Sequence, residues 1–131
     1  MTNSYWPNSI PSPSIGIDLD GTIDEAPTFF RLLSHRWPGR VFIITFRDDR
    51  TKAEQRLAEF GIRYDELVLV TSLEAKADVI HRLGILIYFD DQDEAIQHVP
   101  HQVNVFKIRN GGNFDFDVNR WLYSDRTGRQ V

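Results

Sequence analysis

Five short runs of β-branched and aromatic residues punctuate the chain: "SIGID" from Ser14, "VFIITF" from Val41, "ELVLV" from Glu66, "ILIYF" from Ile85 and "VNVFKI" from Val103. None alternates strictly between apolar and polar positions, which is the pattern of strands covered on both faces, as in a parallel sheet. The segments between them have helix length and helix punctuation. After Pro27, residues Phe29, Phe30, Leu32, Leu33 and Trp37 form an apolar stripe that Pro38 and Gly39 close. Thr51 with Glu54 reads as a capping box for a helix carrying Ala53, Leu57 and Phe60 and ending at Gly61. Thr71 with Glu74 reads as a second box, for a helix that stops at Gly84, and a short fourth helix is predicted from Glu94 to His98. Strand alternating with helix predicts one Rossmann-like α/β domain, a five-stranded and mainly parallel sheet flanked by helices. The start, "MTNSYWPNSIPSPS", is rich in Ser, Pro and Asn and reads as a flexible lead-in over residues 1–14, with the domain over 15–131. From Asn110 the pattern is ambiguous, a loop followed by a short helix packing back through Trp121 and Leu122.

Composition narrows the classes. A chain of 131 residues, 41% hydrophobic and 26% charged, suits a single soluble domain with an ordinary core. A net charge of −4 and a pI near 5.5 weigh against a protein that coats nucleic acid, while leaving room for a local basic patch. The absence of cysteine excludes disulfides, thiolate catalysis and cysteine-based zinc sites. His35, His81, His98 and His101 are scattered, with no motif such as HExxH, and read as surface or packing residues. The start lacks the basic and apolar stretches of a secretory signal, and the apolar runs are too short to span a bilayer. A cytoplasmic protein without a membrane partner is the expectation.

The polar residues then fall in a telling place. Asp18, Thr45 and the pair Asp90-Asp91 lie at the C-terminal ends of the first, second and fourth predicted strands, and Lys76 lies in the first turns of the helix after the third. Parallel strands bring all of these to one sheet edge, the edge where open α/β sheets bind ligands. Lys76 also sits within the apolar stripe of Leu73, Ile80 and Leu83, where it either snorkels outward or meets an anion at that edge. Residues i and i+2 of an extended segment face one side, so Asp18 and Asp20 approach the same site. With Asp90 or Asp91 they make an acidic cluster that is tolerable only around a cation. Hard oxygen donors with room for water and phosphate suit Mg²⁺. A lone Asp-x-Asp is more often a solvated turn; the convergence favours the metal.

The order and wording of these motifs resemble the haloacid dehalogenase (HAD) superfamily of phosphohydrolases. "DLDGT" at Asp18 to Thr22, "IIT" ending in Thr45, Lys76 in "EAKADVI" and "YFDDQDE" at Asp90-Asp91 match its four motifs in order. The resemblance implies Asp18 as the nucleophile that forms an aspartyl-phosphate, and Asp20 as general acid and then base, its backbone carbonyl touching the metal. It implies Thr45 and Lys76 as groups that hold and neutralise the phosphoryl oxygens, and Asp91 as a direct Mg²⁺ ligand. Asp90 is then a helper that orients a metal-bound water or Lys76. Gly21 lets the chain turn after the aspartates and, with Thr22 and Arg47, stands against the substrate. The family often carries an acidic residue or Asn where this chain has Ala95, which leaves the outer metal shell open; Asp93 and Glu94 nearby also suit a helix start.

Family members select substrates through cap insertions. The stretch 21–40 has room for little beyond one helix, and a helix and a strand fill the stretch between Thr45 and Lys76, so no cap is expected. A capless site implies phosphate groups on macromolecules, or a lid lent by a neighbouring subunit in an oligomer. "TFR" and "YFDD" are similar to elements of 5′(3′)-deoxyribonucleotidases and of polynucleotide kinase phosphatase domains, which implies a nucleotide or polynucleotide phosphate as substrate. Arg47 then forks onto a substrate oxygen at the rim, or pairs with Asp48 or Asp49 as a helix-start arginine. "RNGGN", Arg109 to Asn113, is either part of the rim or an ordinary turn. Two other readings remain: a phospho-acceptor signalling module of the receiver kind, disfavoured by the order of the acidic groups, and a HAD-like fold kept for binding alone.

Overall fold

A computed structural model of the chain describes residues 11–109 and 114–121. In chain order the elements are β1 (Ser14–Ile17), a 3-10 turn (Ile23–Glu25), α1 (Pro27–Arg36), β2 (Val41–Phe46), α2 (Arg50–Phe60), β3 (Glu66–Val70), α3 (Ala75–Arg82), β4 (Ile85–Asp90), α4 (Asp93–Ile96), β5 (Asn104–Lys107), β6 (Phe114–Asp115) and β7 (Arg120–Trp121). The first five strands form one sheet in the order β3-β2-β1-β4-β5, every neighbouring pair parallel. The expected α/β architecture is therefore present, and among the described residues no cap interrupts it. No described helix is long and apolar enough to cross a membrane.

Both faces of the sheet are covered. On one, Ile15, Ile17, Ile43, Leu67 and Phe89 pack with Phe30 of α1 and with Ala53 and Leu57 of α2. On the other, Phe42, Ile44, Ile85 and Tyr88 pack with Ala77, Val79 and Ile80 of α3. Each large side chain buried in this way contributes about 1.5–3 kcal/mol relative to exposure, so these two clusters hold the three layers together. The apolar runs of β1 and β2 are continuous because both their faces are dry. The edge strand β5 departs from that expectation: Asn104, Phe106 and Lys107 are exposed. Phe106 nevertheless stacks on Phe89, ring centroids 5.2 Å apart.

Several element boundaries differ from the sequence reading. The Thr51–Glu54 box does not cap α2; Asp49 does, accepting a hydrogen bond from the Lys52 N–H at 3.1 Å. Aspartate at an N-cap offers a charged acceptor to the positive end of the helix, and α2 gains residues that a Thr51 cap would have left outside it. Its C-terminus matches the sequence, with Gly61 left-handed at φ 68°. The Thr71–Glu74 box is likewise absent: α3 starts at Ala75, whose N–H donates to the Ser72 hydroxyl. The fourth helix runs Asp93–Ile96 rather than Glu94 to His98. In α1 the apolar stripe is wider than the buried face, since Phe29 and Leu32 are half-exposed. Trp37 follows α1 and donates its indole N–H to the Pro13 carbonyl at 2.8 Å, which ties the entry of β1 to the end of that helix.

The short helix expected near Trp121 is replaced by the antiparallel pair β6–β7. The alternation in "FDFDV" carries a strand signal, and the Asp115 carboxylate accepts from the Asp117 N–H at 2.9 Å to start the turn. Asn119 completes it at φ 52°, a conformation that asparagine tolerates. Leu122, residues 1–10 and most of "RNGGN" lie outside the described residues.

Candidate active site

The strand order places the site. From β1 the sheet grows through β2 to β3, and the chain then returns past β1 to lay β4 on its other side. The order reverses between β1 and β4, and adjacent connections leaving in opposite directions open a crevice at their C-terminal ends. Asp18 follows β1 there, and Asp90 and Asp91 stand at the end of β4. Hydrogen bonds extend the pairing just past the ladders: the Asp18 N–H donates to the Phe89 carbonyl and the Ile108 N–H to the Asp90 carbonyl, both at 2.9 Å.

Asp18, Asp90 and Asp91 are all buried, and each offers a carboxylate oxygen within 4.8 Å of the others. Lys76 is only 2% exposed and settles the alternative left open for it: it does not snorkel. Its ammonium donates to Asp18 Oδ1 at 2.6 Å and to Asp90 Oδ2 at 3.0 Å. The Asp90 carboxylate is fully engaged. Tyr88 and Lys76 donate to one oxygen, and the backbone N–H groups of Asp91 and Gln92 donate to the other at 2.7 and 3.0 Å. Asp90 therefore anchors Lys76, one of the two helper roles expected of it. Asp91 is the opposite case. Both its carboxylate oxygens are buried and accept no hydrogen bond from any described residue, and the same holds for the Thr45 hydroxyl. Buried polar atoms without partners are costly, and three at one crevice point to groups that complete them.

The electrostatics agree. Three carboxylates face one ammonium. Burial and the nearby Asp90 charge push the Asp91 carboxyl up to about 7. Burial, then the Asp90 charge, raises Asp18 well above the ordinary carboxylate range although Lys76 opposes the shift. Burial alone would lower Lys76, but the charges of Asp18 and Asp90 more than offset it and hold the ammonium protonated. A divalent cation would remove the surplus negative charge. Carboxylate donors, two of them unfilled at Asp91, fit a hard ion such as Mg²⁺.

The remaining predicted residues lie close by with altered partners. Gly21 takes φ 82°, which only glycine adopts without strain, and turns the chain after Asp20. Thr22, expected against the substrate, is buried and donates its hydroxyl to Asp18 Oδ2 at 2.9 Å, so it orients that carboxylate instead. Arg47 pairs with neither Asp48 nor Asp49. Its guanidinium forks onto Asp20, Nε to Oδ2 at 2.8 Å and Nη2 to Oδ1 at 2.7 Å. The Asp20 carboxylate lies outside the triple-aspartate cluster but lines the adjoining cavity of about 470 Å³, together with Asp18, Thr45 and Lys76. Arg109 donates to the Asp91 carbonyl, tying the segment after β5 to the site.

Tyr88 was missed by the sequence reading. It is fully buried, and its hydroxyl reaches Asp90 from two residues back on the same strand face. Gly16 makes room for it, since a β-carbon there would stand 3.0 Å from the Tyr88 ring. The available signal was a lone hydroxyl in an otherwise apolar strand.

No protein-family model matches the chain. No curated protein matches it significantly either. Among solved structures it is similar to a universal stress protein in complex with cAMP, at 8% identity and TM-score 0.48 over 75% of this chain and 98% of that one. It is also similar to the core domain of a candidate phosphoglycolate phosphatase from Streptococcus pneumoniae TIGR4, at 15% identity and TM-score 0.47 over 79% of this chain and 92% of that one. Both scores lie below 0.5, so the reading of the site rests on its own geometry.

Proposed function

We propose that this protein is a Mg²⁺-dependent phosphomonoester hydrolase of the HAD type that works through an aspartyl-phosphate on Asp18. The observation that carries the proposal is the buried crevice in which Lys76 bridges Asp18 and Asp90 while Asp91 and the Thr45 hydroxyl stand without partners. Asp18 and Asp91 would hold the ion, with Asp90 keeping Lys76 beside it. When bound, Mg²⁺ supplies charge neutralisation, letting a phosphate dianion approach a carboxylate.

The chain's own groups account for the rest. An Asp18 oxygen, oriented by Thr22, attacks phosphorus as the bond to the leaving oxygen breaks. Lys76 and the Thr45 hydroxyl stabilise the charge spread over the phosphoryl oxygens. Asp20 gives the leaving alkoxide a proton and then takes one from the water that attacks phosphorus in the intermediate, which releases phosphate and regenerates Asp18. The substrate is a phosphorylated small molecule or macromolecule, and a cytoplasmic setting suits the cysteine-free composition.

The test is phosphate release from a panel of monoesters with and without Mg²⁺. Activity is expected only with the ion, and D18N should lower it about 10³-fold or more. Activity that survives D18N overturns the assignment. So does a stable phosphoprotein formed from acetyl phosphate without ester hydrolysis, which is the outcome a signalling module would give.

A further inference from the structure

The cavity beyond the aspartates has a wall that the phosphoryl chemistry does not use. Phe46 ends β2 and is 51% exposed, yet it lines this cavity together with Leu73 of the β3–α3 connection. Phe46 directly follows Thr45. Neighbouring α-carbons are about 3.8 Å apart and successive strand side chains diverge to opposite faces, so an apolar ring stands beside the phosphoryl end without entering it. A single exposed phenylalanine is unremarkable on a protein surface. One that shares the rim of an acidic cavity with a leucine gives that cavity an apolar wall beside its charged one.

The charge of the same cavity restricts what can lie on that surface. Asp20, Glu74 and Glu94 contribute carboxylates to its walls. Its one lining cation among the described residues, Lys76, is buried and committed to Asp18 and Asp90. Arg47 next to Phe46 is committed to Asp20 through both arms of its fork. A second anionic group on a substrate would meet these carboxylates and, among the described lining residues, no uncommitted cation.

We infer that Phe46 and Leu73 form a leaving-group subsite for phosphate monoesters whose alcohol carries a planar apolar group and no second anion. The inference rests on the proposed phosphoryl end of the cavity and narrows its substrate class, away from the polynucleotide phosphates that the TFR and YFDD similarities suggest. An aryl or nucleobase plane stacks on Phe46, its other face against Leu73, while the single phosphoryl group occupies the Thr45–Lys76 end.

The experiment compares benzyl phosphate with ethyl phosphate, and a nucleoside 5′-monophosphate with the matching 3′,5′-bisphosphate, by kcat/KM at fixed Mg²⁺. Wild type should prefer benzyl over ethyl about tenfold, the scale of one stacking contact. F46A should shrink that preference below about threefold and F46W should restore it. The bisphosphate should be about tenfold poorer than the monophosphate. A benzyl preference unchanged in F46A overturns the subsite, and so does a bisphosphate preference that disappears in R47A. Calorimetric binding of benzylphosphonate and ethylphosphonate to wild type and F46A separates this result from turnover. Phe46-dependent discrimination without hydrolysis would uphold the subsite and sink the hydrolase; hydrolysis without discrimination would do the reverse. Binding of neither phosphonate together with hydrolysis of no ester would sink both.

Discussion

Arg47 and Asp20 show how much one pairing can change a residue's role. A guanidinium forked onto both oxygens of a carboxylate fixes its plane, which an isolated lysine could not do. Arg47 is thus a positioning residue for the proposed proton donor. Its loss should be read most strongly where the leaving group needs a proton. R47A is expected to lower kcat/KM for ethyl phosphate at least tenfold more than for p-nitrophenyl phosphate, because a nitrophenolate leaves unaided. Equal losses on both esters would mean that Arg47 touches the substrate directly. Lys76 is the complementary case. Removing it leaves Asp18 and Asp90 buried together without a counter-charge, so K76M should lose about 3–5 kcal/mol in urea unfolding at pH 8 without Mg²⁺. At this scale the sequence exposed the oddity of a lysine in an apolar stripe. It could not show which carboxylates the lysine meets, because they lie 58 and 14 residues away.

At the scale of elements, strands were legible, and so was the start of α1 at Pro27, whereas the caps of α2 and α3 were not. Apolar runs mark strands because two buried faces leave no position for a polar side chain, and all five runs became strands in the central sheet. Helix starts depend on which of several nearby polar groups the backbone brings within reach. Before α2, Asp48, Asp49 and Thr51 all compete, and the side chain of Asp49 makes the bond. Thermal unfolding can weigh them: D49A should cost about 1 kcal/mol, whereas T51A, at an exposed position within the helix, should stay within about 0.5 kcal/mol. A larger effect at Thr51 would restore the capping box. The edge strand β5 was the least faithful to the pattern, since a strand with one neighbour need not be dry on both faces.

At the scale of the whole molecule, stability and ion binding should be coupled through pH. The folded protein raises the Asp91 carboxyl from its ordinary value of 3.8 to about 7. A group whose folded pKa is raised contributes its full stability below the unfolded value and loses it as pH rises through the folded one. Asp18 shifts in the same direction. Lys76 titrates above this window and leaves the trend unchanged. Without metal, Tm should therefore fall from about pH 4 to about pH 8. Mg²⁺ competes with those protons, so the rise in Tm that it produces should grow with pH and be lost in D91A. A Mg²⁺ effect independent of pH, or undiminished in D91A, would place the ion elsewhere.

The sequence alone was enough to specify an α/β domain with a parallel sheet, and to bring Asp18, Thr45, Lys76, Asp90 and Asp91 to one of its edges. Periodicity and strand direction carry that information, and both are local. What the folded chain alone decided is how the polar atoms pair: Lys76 between two aspartates, Thr22 and Tyr88 in support, Arg47 turned back on Asp20, the Asp91 carboxylate and the Thr45 hydroxyl buried without hydrogen-bond partners among the described residues. Those outcomes turn on distances of a few ångströms between residues far apart in the chain, and only the packing of the layers sets such distances.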